Sequence, residues 1–237
     1  MDLSIVFPVL NERGKIEADI RAAADFLLRE EIRGEIIVVD DGSEDGTSEV
    51  ARRAIIDHRI DLIVIRHEAR TGKGHAVRTG MLASRGRFAM FADSGLCVPF
   101  KFVLAGLDRL KPGGYDIAHG SRKLPQSIIV KPQPFKRRFF SYLYRLFLVL
   151  FMKVPSELSD TQCGFKMYKG DVARNLYKEC RSNGFSFDVE TILRAQRMGY
   201  QLVEFPVEWT VDPDSRTTQL MRIGEILNEL RQIKKNL

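Results

Sequence analysis

Cysteine is scarce in this chain of 237 residues, and the few cysteines are poorly placed for pairing. Cys97, Cys163 and Cys180 are odd in number and widely spaced, and no Cys-x-x-Cys pair occurs. Neither a cysteine-based zinc site nor a disulfide framework is therefore supported. The pattern is typical of a protein from a reducing compartment such as the cytosol.

Long apolar runs are also missing. A membrane-spanning helix needs about 20 consecutive apolar residues. The nearest approach, residues 139–154, is shorter and is interrupted by Ser141, Arg145 and Lys153. The first residues resemble a strand and lack the charged and apolar regions of a signal peptide. We therefore expect a cytoplasmic protein without an ordinary transmembrane helix.

Histidine and tryptophan are rare as well. His58, His67, His75 and His119 show no spacing typical of a metal site, which favours structural or surface roles. The single tryptophan, Trp209, lies in a late strand-like run, where core packing is favoured over a sugar-stacking role. The sequence alone thus gives no reason to expect a histidine-based metal centre.

The chain does contain enough apolar side chains for one sizeable core, at 44% of its residues. Basic residues outnumber acidic ones, 37 to 31, which gives a net charge of +6. A basic balance favours phosphate-rich partners such as nucleotides, nucleic acids or anionic lipids, although it also suits a plain solubility charge. Because no recognised nucleic-acid motif occurs, no nucleic-acid partner is expected.

Strand-like runs alternate with helical patterns over the first hundred residues. Strands are predicted at 3–7, 35–39, 62–66 and 87–92, with helices at 15–31, 47–58 and 74–84. This alternation predicts an α/β fold with a mostly parallel central sheet flanked by helices. Ligands bind beyond the carboxyl ends of such strands. The four ends, at 8–12, 40–43, 66–74 and 93–95, are all polar, charged or glycine-rich.

The second half of the chain is less regular. Its predicted elements are a helix at 103–110, a strand at 116–120, a loop at 121–134, a basic and then apolar helix at 135–154, helices at 172–177 and 189–198, a strand at 201–211 and an amphipathic helix at 217–237. No internal repeat and no linker between two domains is visible.

Two strand ends carry groups that suit a nucleoside. The first strand runs into Pro8, with Asn11 and Glu12 behind it, and the second ends in Asp40-Asp41-Gly42. An aspartate can accept hydrogen bonds from a base or from ribose hydroxyls, and glycine allows the backbone to approach a ligand. An ordinary turn at the first site and a capped turn at the second would use the same residues.

The next two strand ends suit a diphosphate. Lys73 lies between two glycines at a predicted helix N-terminus, a position that favours phosphate. The motif is not a Walker A loop, since the leading glycine at the required spacing is missing. Asp93, at the end of the fourth strand, could hold a divalent metal against a diphosphate.

In this order the four motifs resemble glycosyltransferase family 2, whose catalytic domain has the Rossmann-like GT-A fold. The resemblance implies one GT-A domain at residues 1–216, followed by a basic amphipathic helix at 217–237. It also implies a nucleotide-sugar donor and a Mg²⁺ or Mn²⁺ ion held by Asp93. The residues implied to bind the donor are Pro8, Asn11, Glu12, Asp40, Asp41, Gly42, Lys73, Asp93 and Arg216.

Motifs in the second half narrow the resemblance. Gly120-Ser121-Arg122, Arg137-x-x-x-Ser141 and the run Asp160-Thr-Gln-Cys-Gly-Phe-Lys166 are similar to the polyprenyl- and dolichyl-phosphate sugar transferases, most of all the dolichyl-phosphate glucosyltransferases. This implies inverting transfer of a hexose, above all glucose from UDP-glucose, to a polyprenyl or dolichyl phosphate. Arg122, Arg137 and Ser141 would hold the acceptor phosphate, and the implied catalytic residues are Asp160, Asp93 and Arg122.

One position departs from the family. These enzymes usually carry Asp-x-Asp at the fourth strand, and here the third position is Gly95. Asp93 could bind the metal with diphosphate oxygens and water, or Lys73 and Arg216 could neutralise the diphosphate without metal. A third possibility is altered or lost activity, as in a non-catalytic nucleotide-sugar binding protein. A family 2 enzyme with a soluble or saccharide acceptor is the further alternative.

The helix at 135–154 combines a basic start with an aromatic and aliphatic face. Such a helix suits the headgroup region of an anionic membrane, at its cytoplasmic face. A buried core helix or a helix in a homodimer interface would show the same composition. The sequence therefore predicts peripheral membrane contact and leaves a possible homodimer open.

Overall fold

The structure, a computed structural model, describes residues 1–131, 135–211 and 223–237, with the side chains of 135–140 and 223 excepted. The first half alternates strands and helices as expected. Its elements are β1 (Leu3–Val9), α1 (Ile16–Arg29), β2 (Gly34–Asp40), α2 (Thr47–Arg53), β3 (Asp61–Arg66), α3 (Lys73–Ala83) and β4 (Phe88–Ala92). β1 pairs with β2 and β4, and β2 pairs with β3, all in parallel.

The second half extends this sheet. Its elements are α4 (Phe102–Arg109), β5 (Ile117–Ser121), β6 (Ile128–Ile129), α5 (Phe135–Phe147), a π-helical turn (Leu148–Met152), β7 (Phe165–Lys169), α6 (Gly170–Glu179), α7 (Phe187–Arg197), β8 (Leu202–Pro206), β9 (Glu208–Trp209) and α8 (Ile223–Asn236). The seven-stranded sheet has the order β3-β2-β1-β4-β7-β5-β8, and β6 pairs with β9. β7 runs antiparallel to both of its neighbours.

The predicted α/β fold with a mostly parallel sheet is confirmed, with local corrections. The helix expected to reach His58 ends at Arg53. The strand expected at 201–211 is divided between β8 and β9 at Val207, and the loop expected at 121–134 contains β6. The two strand corrections concern short elements whose pairing depends on distant chain segments, which a local pattern does not contain.

Three clusters of buried side chains form the core. One cluster covers the sheet face against α1, where Ile16, Ile20 and Leu27 recur at helical spacing. The second covers the opposite face, beneath α3 and α6. A third, smaller cluster joins the π-helical turn, α7 and α8, and it includes Leu230 and Ile233 of α8. The domain boundary expected at residue 216 lies outside the described residues.

The helix predicted at 135–154 is helical to Phe147 and continues as the π-helical turn. Leu148 and Met152 are buried, whereas five large side chains on this segment are exposed: Tyr142, Leu143, Leu146, Leu150 and Phe151. Among the described residues, no helix is long and apolar enough to cross a membrane. The structure thus shows an apolar exposed face here, and its role at a membrane stays a prediction.

Candidate active site

Asp40 stabilises the loop after β2 by accepting hydrogen bonds from within it and from the helix that follows. Its two carboxylate oxygens accept hydrogen bonds from the Ser43 N–H, at 2.7 Å, and from the Ser48 hydroxyl. The side chain is fully buried. Both oxygens are therefore satisfied within the protein, and contact between Asp40 and a donor stays a prediction.

Asp41 connects the loop after β2 to the glycine-lysine loop. It accepts from the N–H and hydroxyl of Thr71, at 2.9 and 2.5 Å, and from the Gly72 N–H at 2.7 Å. Burial alone would raise the pKa of Asp41, but these bonds and one from His67 hold that pKa below its usual value. Gly42, with φ +80°, lets residues 69–70 cross close above it.

Two histidines join this network, contrary to the expectation that no histidines group together. His67 Nδ1 lies 3.1 Å from Asp41 Oδ1, and the ring centroids of His67 and His75 are 4.5 Å apart. The Thr71 hydroxyl lies between them and contacts Asp41, His67 and His75 at once. Burial and the neighbouring His67 lower the pKa of His75. The sequence spacing of these residues does not by itself indicate the cluster, because the cluster depends on how the loop between β3 and α3 folds.

The first-strand motif packs on the same loop. The Asn11 N–H donates to Ser43 Oγ at 2.7 Å, and the Glu12 N–H donates to Thr47 Oγ1 at 2.9 Å. The Glu12 carboxylate pairs with Lys15 at 3.1 Å. Pro8 lies beside Val39 in the sheet. The predicted nucleoside-binding residues thus lie at one edge of the sheet, where Asn11 and Glu12 are bound to the same loop that Asp40 holds.

Lys73 and Asp93 meet at the centre of that edge. Lys73 Nζ lies 2.6 Å from Asp93 Oδ1, and both side chains are partly exposed. Burial disfavours the charge on Lys73, yet Asp93 and Asp188 together raise its pKa above the usual value. Asp93 also fits closely against Gly164, because a Cβ at that glycine would lie 2.1 Å from the carboxylate. The site therefore contains a permanent cation beside an accessible carboxylate.

The N-terminus of α3 is not open in the way the glycine-lysine motif predicts. The N–H groups of Gly74 and His75 donate to the carbonyl oxygen of Asn183, at 2.8 and 3.3 Å. Gly72 and Gly74 are needed because that segment lies within 3 Å of where their Cβ atoms would be. The two glycines thus make room for the segment around Asn183. The group of this motif that faces the site is the Lys73 side chain, which contacts Asp93.

Gly95 adopts a left-handed backbone, with φ +88°. Its N–H donates to both oxygens of Asp19 at 3.0 Å, and the Leu96 N–H donates to Asp19 Oδ1 at 3.0 Å. Asp19 is fully buried in α1, and burial raises its pKa to about 6 in spite of these bonds. Where the family usually has a second carboxylate, this chain has a turn whose backbone N–H groups donate to Asp19.

Arg122 and Asp160 form a bidentate pair on the other side of the site. Arg122 Nε and Nη2 donate to the two oxygens of Asp160, at 2.6 and 2.8 Å. Burial opposes the charge on Asp160, but Arg122 lowers the pKa of this carboxyl to about 2. The Arg122 guanidinium also lies over the Trp209 ring, 5.3 Å from its centroid. Two of the implied catalytic residues therefore neutralise one another.

Further charged groups that sequence reasoning left without a role support this pair. Glu204 accepts from the N–H groups of Ser159 and Asp160, at 2.7 and 2.6 Å, and so fixes the loop that carries Asp160. The fully buried Lys166 donates to the Thr161 carbonyl at 2.9 Å and to the Asp188 carboxylate. Lys166 belongs to the motif that begins at Asp160, but a motif does not say which group it stabilises.

The remaining acceptor and donor residues are described only in part. Ser141 Oγ lies 3.2 Å from Lys123 Nζ. Arg137 lies in α5, but its side chain is outside the described residues, as is the whole of Arg216. Their predicted phosphate contacts therefore remain predictions.

Comparison with known proteins identifies the family. The model of glycosyl transferase family 2 matches residues 4–176, which is most of the chain. The chain belongs to glycosyl transferase family 2. This confirms the resemblance found in the sequence motifs.

Several relatives of this family 2 chain carry informative names. It is 34% identical to a dolichyl-phosphate beta-glucosyltransferase of Mus musculus, over 88% of this chain and 67% of the relative. It is 29% identical to the Dictyostelium discoideum protein of that name, over 93% and 72%. It is 33% identical to Glycosyltransferase AglD of Haloferax volcanii, over 91% of this chain but only 34% of that protein. The chain thus spans about a third of the Haloferax protein and about two thirds or more of the other two.

Solved structures support the fold of the family 2 domain. Glucosyl-3-phosphoglycerate synthase from Mycobacterium tuberculosis, in complex with Mn²⁺, UDP and glucosyl-3-phosphoglycerate, superposes with a TM-score of 0.69 at 18% identity. The match covers 99% of this chain and 78% of that one. The same enzyme was also solved with Mg²⁺ and UDP. At this identity the likeness establishes the GT-A fold.

The family 2 site fits a divalent metal with one protein carboxylate. Asp93 is partly exposed and points into the site, but the neighbouring carboxylates of Asp19, Asp160 and Asp188 are each bound to other groups. Mg²⁺ often keeps several waters and only one or two carboxylates. Asp93, with diphosphate oxygens and water, is thus a sufficient donor set for such an ion.

Proposed function

We propose that this chain is an inverting glucosyltransferase that moves glucose from UDP-glucose to a polyprenyl phosphate of the dolichyl type. The names of the relatives support the sugar and the acceptor class. The two charged pairs at the sheet edge support the positions of donor and acceptor. Lys73 and Asp93 lie on the donor side, and Arg122 and Asp160 on the acceptor side.

The state of Asp160 is the observation that favours a phosphate acceptor. A hydroxyl acceptor must lose a proton, and a general base works best when its pKa is near the working pH. Arg122 keeps the pKa of Asp160 at about 2, so Asp160 is a weak base. A phosphate acceptor is already ionised at neutral pH and needs no base. The site is therefore better suited to a phosphate than to a hydroxyl nucleophile.

The reaction then depends on charge and position. A phosphate oxygen of the acceptor forms a bond to the anomeric carbon as the bond from that carbon to UDP breaks, and UDP leaves with the electron pair. Lys73 stabilises the charge that gathers on the leaving diphosphate, which lowers the barrier because that charge is greatest late in the reaction. A Mg²⁺ or Mn²⁺ ion, held by Asp93, would supply further positive charge there.

Radiolabelled glucose transfer tests this assignment. The wild-type chain should label a short polyprenyl phosphate from UDP-glucose but not the matching polyprenol, and EDTA should reduce the rate. Lys73→Met should lower kcat/KM by about 100-fold or more, as loss of a transition-state cation does elsewhere. Lys111→Met is the matched control, since Lys111 pairs with Asp108 on α4, away from the site. Labelling of soluble saccharides instead, or UDP-glucose binding without any transfer, would contradict the proposal.

We further propose that the exposed face of α5 and the π-helical turn contacts the cytoplasmic surface of an anionic membrane. Leu150 and Phe151 are more than half exposed, and apolar side chains beside basic ones suit the headgroup region. The three free cysteines favour the cytoplasmic side. In flotation with anionic liposomes, a Leu150→Asp and Phe151→Asp double variant should lose binding. Ile55→Asp, at a side chain that is 80% exposed on another part of the surface, should not.

A homodimer is the alternative reading of that face. If the double variant binds liposomes normally but changes from dimer to monomer in light scattering, the membrane assignment is wrong and the dimer is supported.

A further inference from the structure

The acceptor side of the site has less free positive charge than its residue types suggest. Arg122 was expected to bind the acceptor phosphate, but Asp160 already takes two of its donors. Because the pKa of Asp160 is held at about 2, the carboxylate stays ionised at neutral pH. The pair therefore has no net charge, and Arg122 alone is a weak attraction for a phosphate dianion.

Lys123, the next residue, is differently placed. Its backbone N–H donates to Ser121 Oγ at 3.3 Å, so it is attached to the end of β5. Its ammonium lies 3.2 Å from Ser141 Oγ in α5 and is exposed. Within the described part of the chain, no carboxylate pairs with it. Lys123 thus supplies a cation without an ion-pair partner of its own, next to a hydroxyl that was predicted to bind phosphate.

Arg145 extends the same region of positive charge. Its Nε and Nη2 donate to the backbone carbonyls of Leu158 and Ser156, at 3.0 and 2.8 Å. These acceptors are neutral, so the guanidinium keeps its full charge. Burial is the main cause that lowers the pKa of Lys123; Asp160 and Glu204 oppose it, and the cations Arg122 and Arg145 add to it. A bound anion would relieve the repulsion among these cations, so the surroundings of Lys123 favour an anionic ligand.

We propose that Lys123 is a direct ligand of the acceptor phosphate, which binds between its ammonium and the Ser141 hydroxyl. This inference rests on the proposed function, since it takes the acceptor to be a polyprenyl phosphate. The Lys123 ammonium and the Ser141 hydroxyl would then each donate a charge-assisted hydrogen bond to the phosphate, in place of their present contact with one another. Arg122, held by Asp160, then orients the phosphate, and Lys123 provides the charge that attracts it.

Steady-state kinetics with a short polyprenyl phosphate tests this role. Lys123→Met should raise the KM for the acceptor about tenfold or more, because hydrogen bonds to charged groups are the stronger class. The KM for UDP-glucose should stay the same, since the contacts of Lys123 are to Ser121 and Ser141 rather than to Lys73 or Asp93. Lys123→Arg should restore the acceptor KM to within about threefold, because its guanidinium also binds phosphate. Lys111→Met removes the same charge elsewhere and should change neither constant.

The pH dependence of the acceptor KM distinguishes a direct phosphate contact by Lys123 from a purely structural role, which would leave that pH dependence unchanged. In the wild-type enzyme the acceptor KM should rise at alkaline pH as Lys123 loses its proton. This rise should shift to higher pH in Lys123→Arg, because arginine stays protonated.

The failures of the two proposals are distinguishable. If Lys123→Met transfers glucose with an unchanged acceptor KM, the role of Lys123 is wrong and the glucosyltransferase stands. If the wild-type chain transfers no glucose to any polyprenyl phosphate, the proposed function itself is wrong.

Discussion

A single methyl group at Gly164 should disable the site through Asp93. A Cβ at Gly164 would lie 2.1 Å from Asp93 Cγ and Oδ2, and 2.3 Å from Oδ1. The two backbones cannot separate easily, because the Asp93 N–H donates to the Gly164 carbonyl at 2.8 Å. The carboxylate must therefore move away by at least about 1.3 Å to reach the 3.4 Å at which ordinary van der Waals contact begins. That movement would break its 2.6 Å contact with Lys73.

The expected cost of Gly164→Ala follows from this displacement. A misplacement of about 1 Å in a reacting site can cost about 100-fold in rate. Overpacking a tight contact typically destabilises by about 1–3 kcal/mol. We expect a loss of that order in kcat/KM for glucose transfer, with a smaller loss of stability in urea unfolding. Gly14→Ala is the control, because nothing lies within 4 Å of its Cβ position.

A double-mutant cycle with Asp93→Ala separates this mechanism from general disruption. If Gly164→Ala acts by displacing the carboxylate, it should cost almost nothing further in rate once the carboxylate has been removed. Independent, additive losses would refute the reasoning, as would full activity of Gly164→Ala alone.

Other perturbations give separate tests. Burial raises the pKa of Asp19 to about 6, so its contribution to folding is present below about pH 4 and lost as pH rises through 6. Relative to Asp19→Asn, wild-type stability in urea should fall by about 3 kcal/mol from pH 4 to pH 7, and a parallel pH profile would contradict this. Lys166→Met should destabilise by about 3–5 kcal/mol, and adding Asp188→Leu should recover most of that loss; no recovery would show that the pair is not the cause. Gly95→Ala should cost about 1–2 kcal/mol in thermal unfolding because its φ is +88°, and an unchanged Tm would argue against backbone strain.

The local pattern of apolar residues was sufficient to predict the strands and helices of the parallel half of the fold. The strand ends at Asp40 and Asp93 follow buried β-branched or apolar runs, and the helix from Ile16 shows clear helical spacing. These signals lie within short windows, so they survive without tertiary information. β6 and β9, of two residues each, depend on pairing between segments about 80 residues apart. No window of sequence contains that pairing.

The site was predictable as a set of residues but not as a set of contacts. The motifs predicted that Lys73 and Asp93 converge, because both follow the carboxyl ends of parallel strands, and the two side chains lie 2.6 Å apart. They did not indicate that the amides of α3 donate to Asn183, or that His67 and His75 meet around Thr71. The first contact joins segments far apart in the chain, and the second depends on how the loop between β3 and α3 folds, so a local sequence pattern indicates neither.

With Gly95 in place of the family's second aspartate, the site has one negative charge fewer. With a second carboxylate at this position, a metal would have two anionic ligands from the protein. Here Lys73 already supplies one positive charge to Asp93, and the Gly95 N–H donates to the buried Asp19. A diphosphate would thus meet a nearly neutral protein surface, so a metal ion bound there would depend on the diphosphate itself for most of its affinity. Metal and donor should therefore bind together, each weakly without the other.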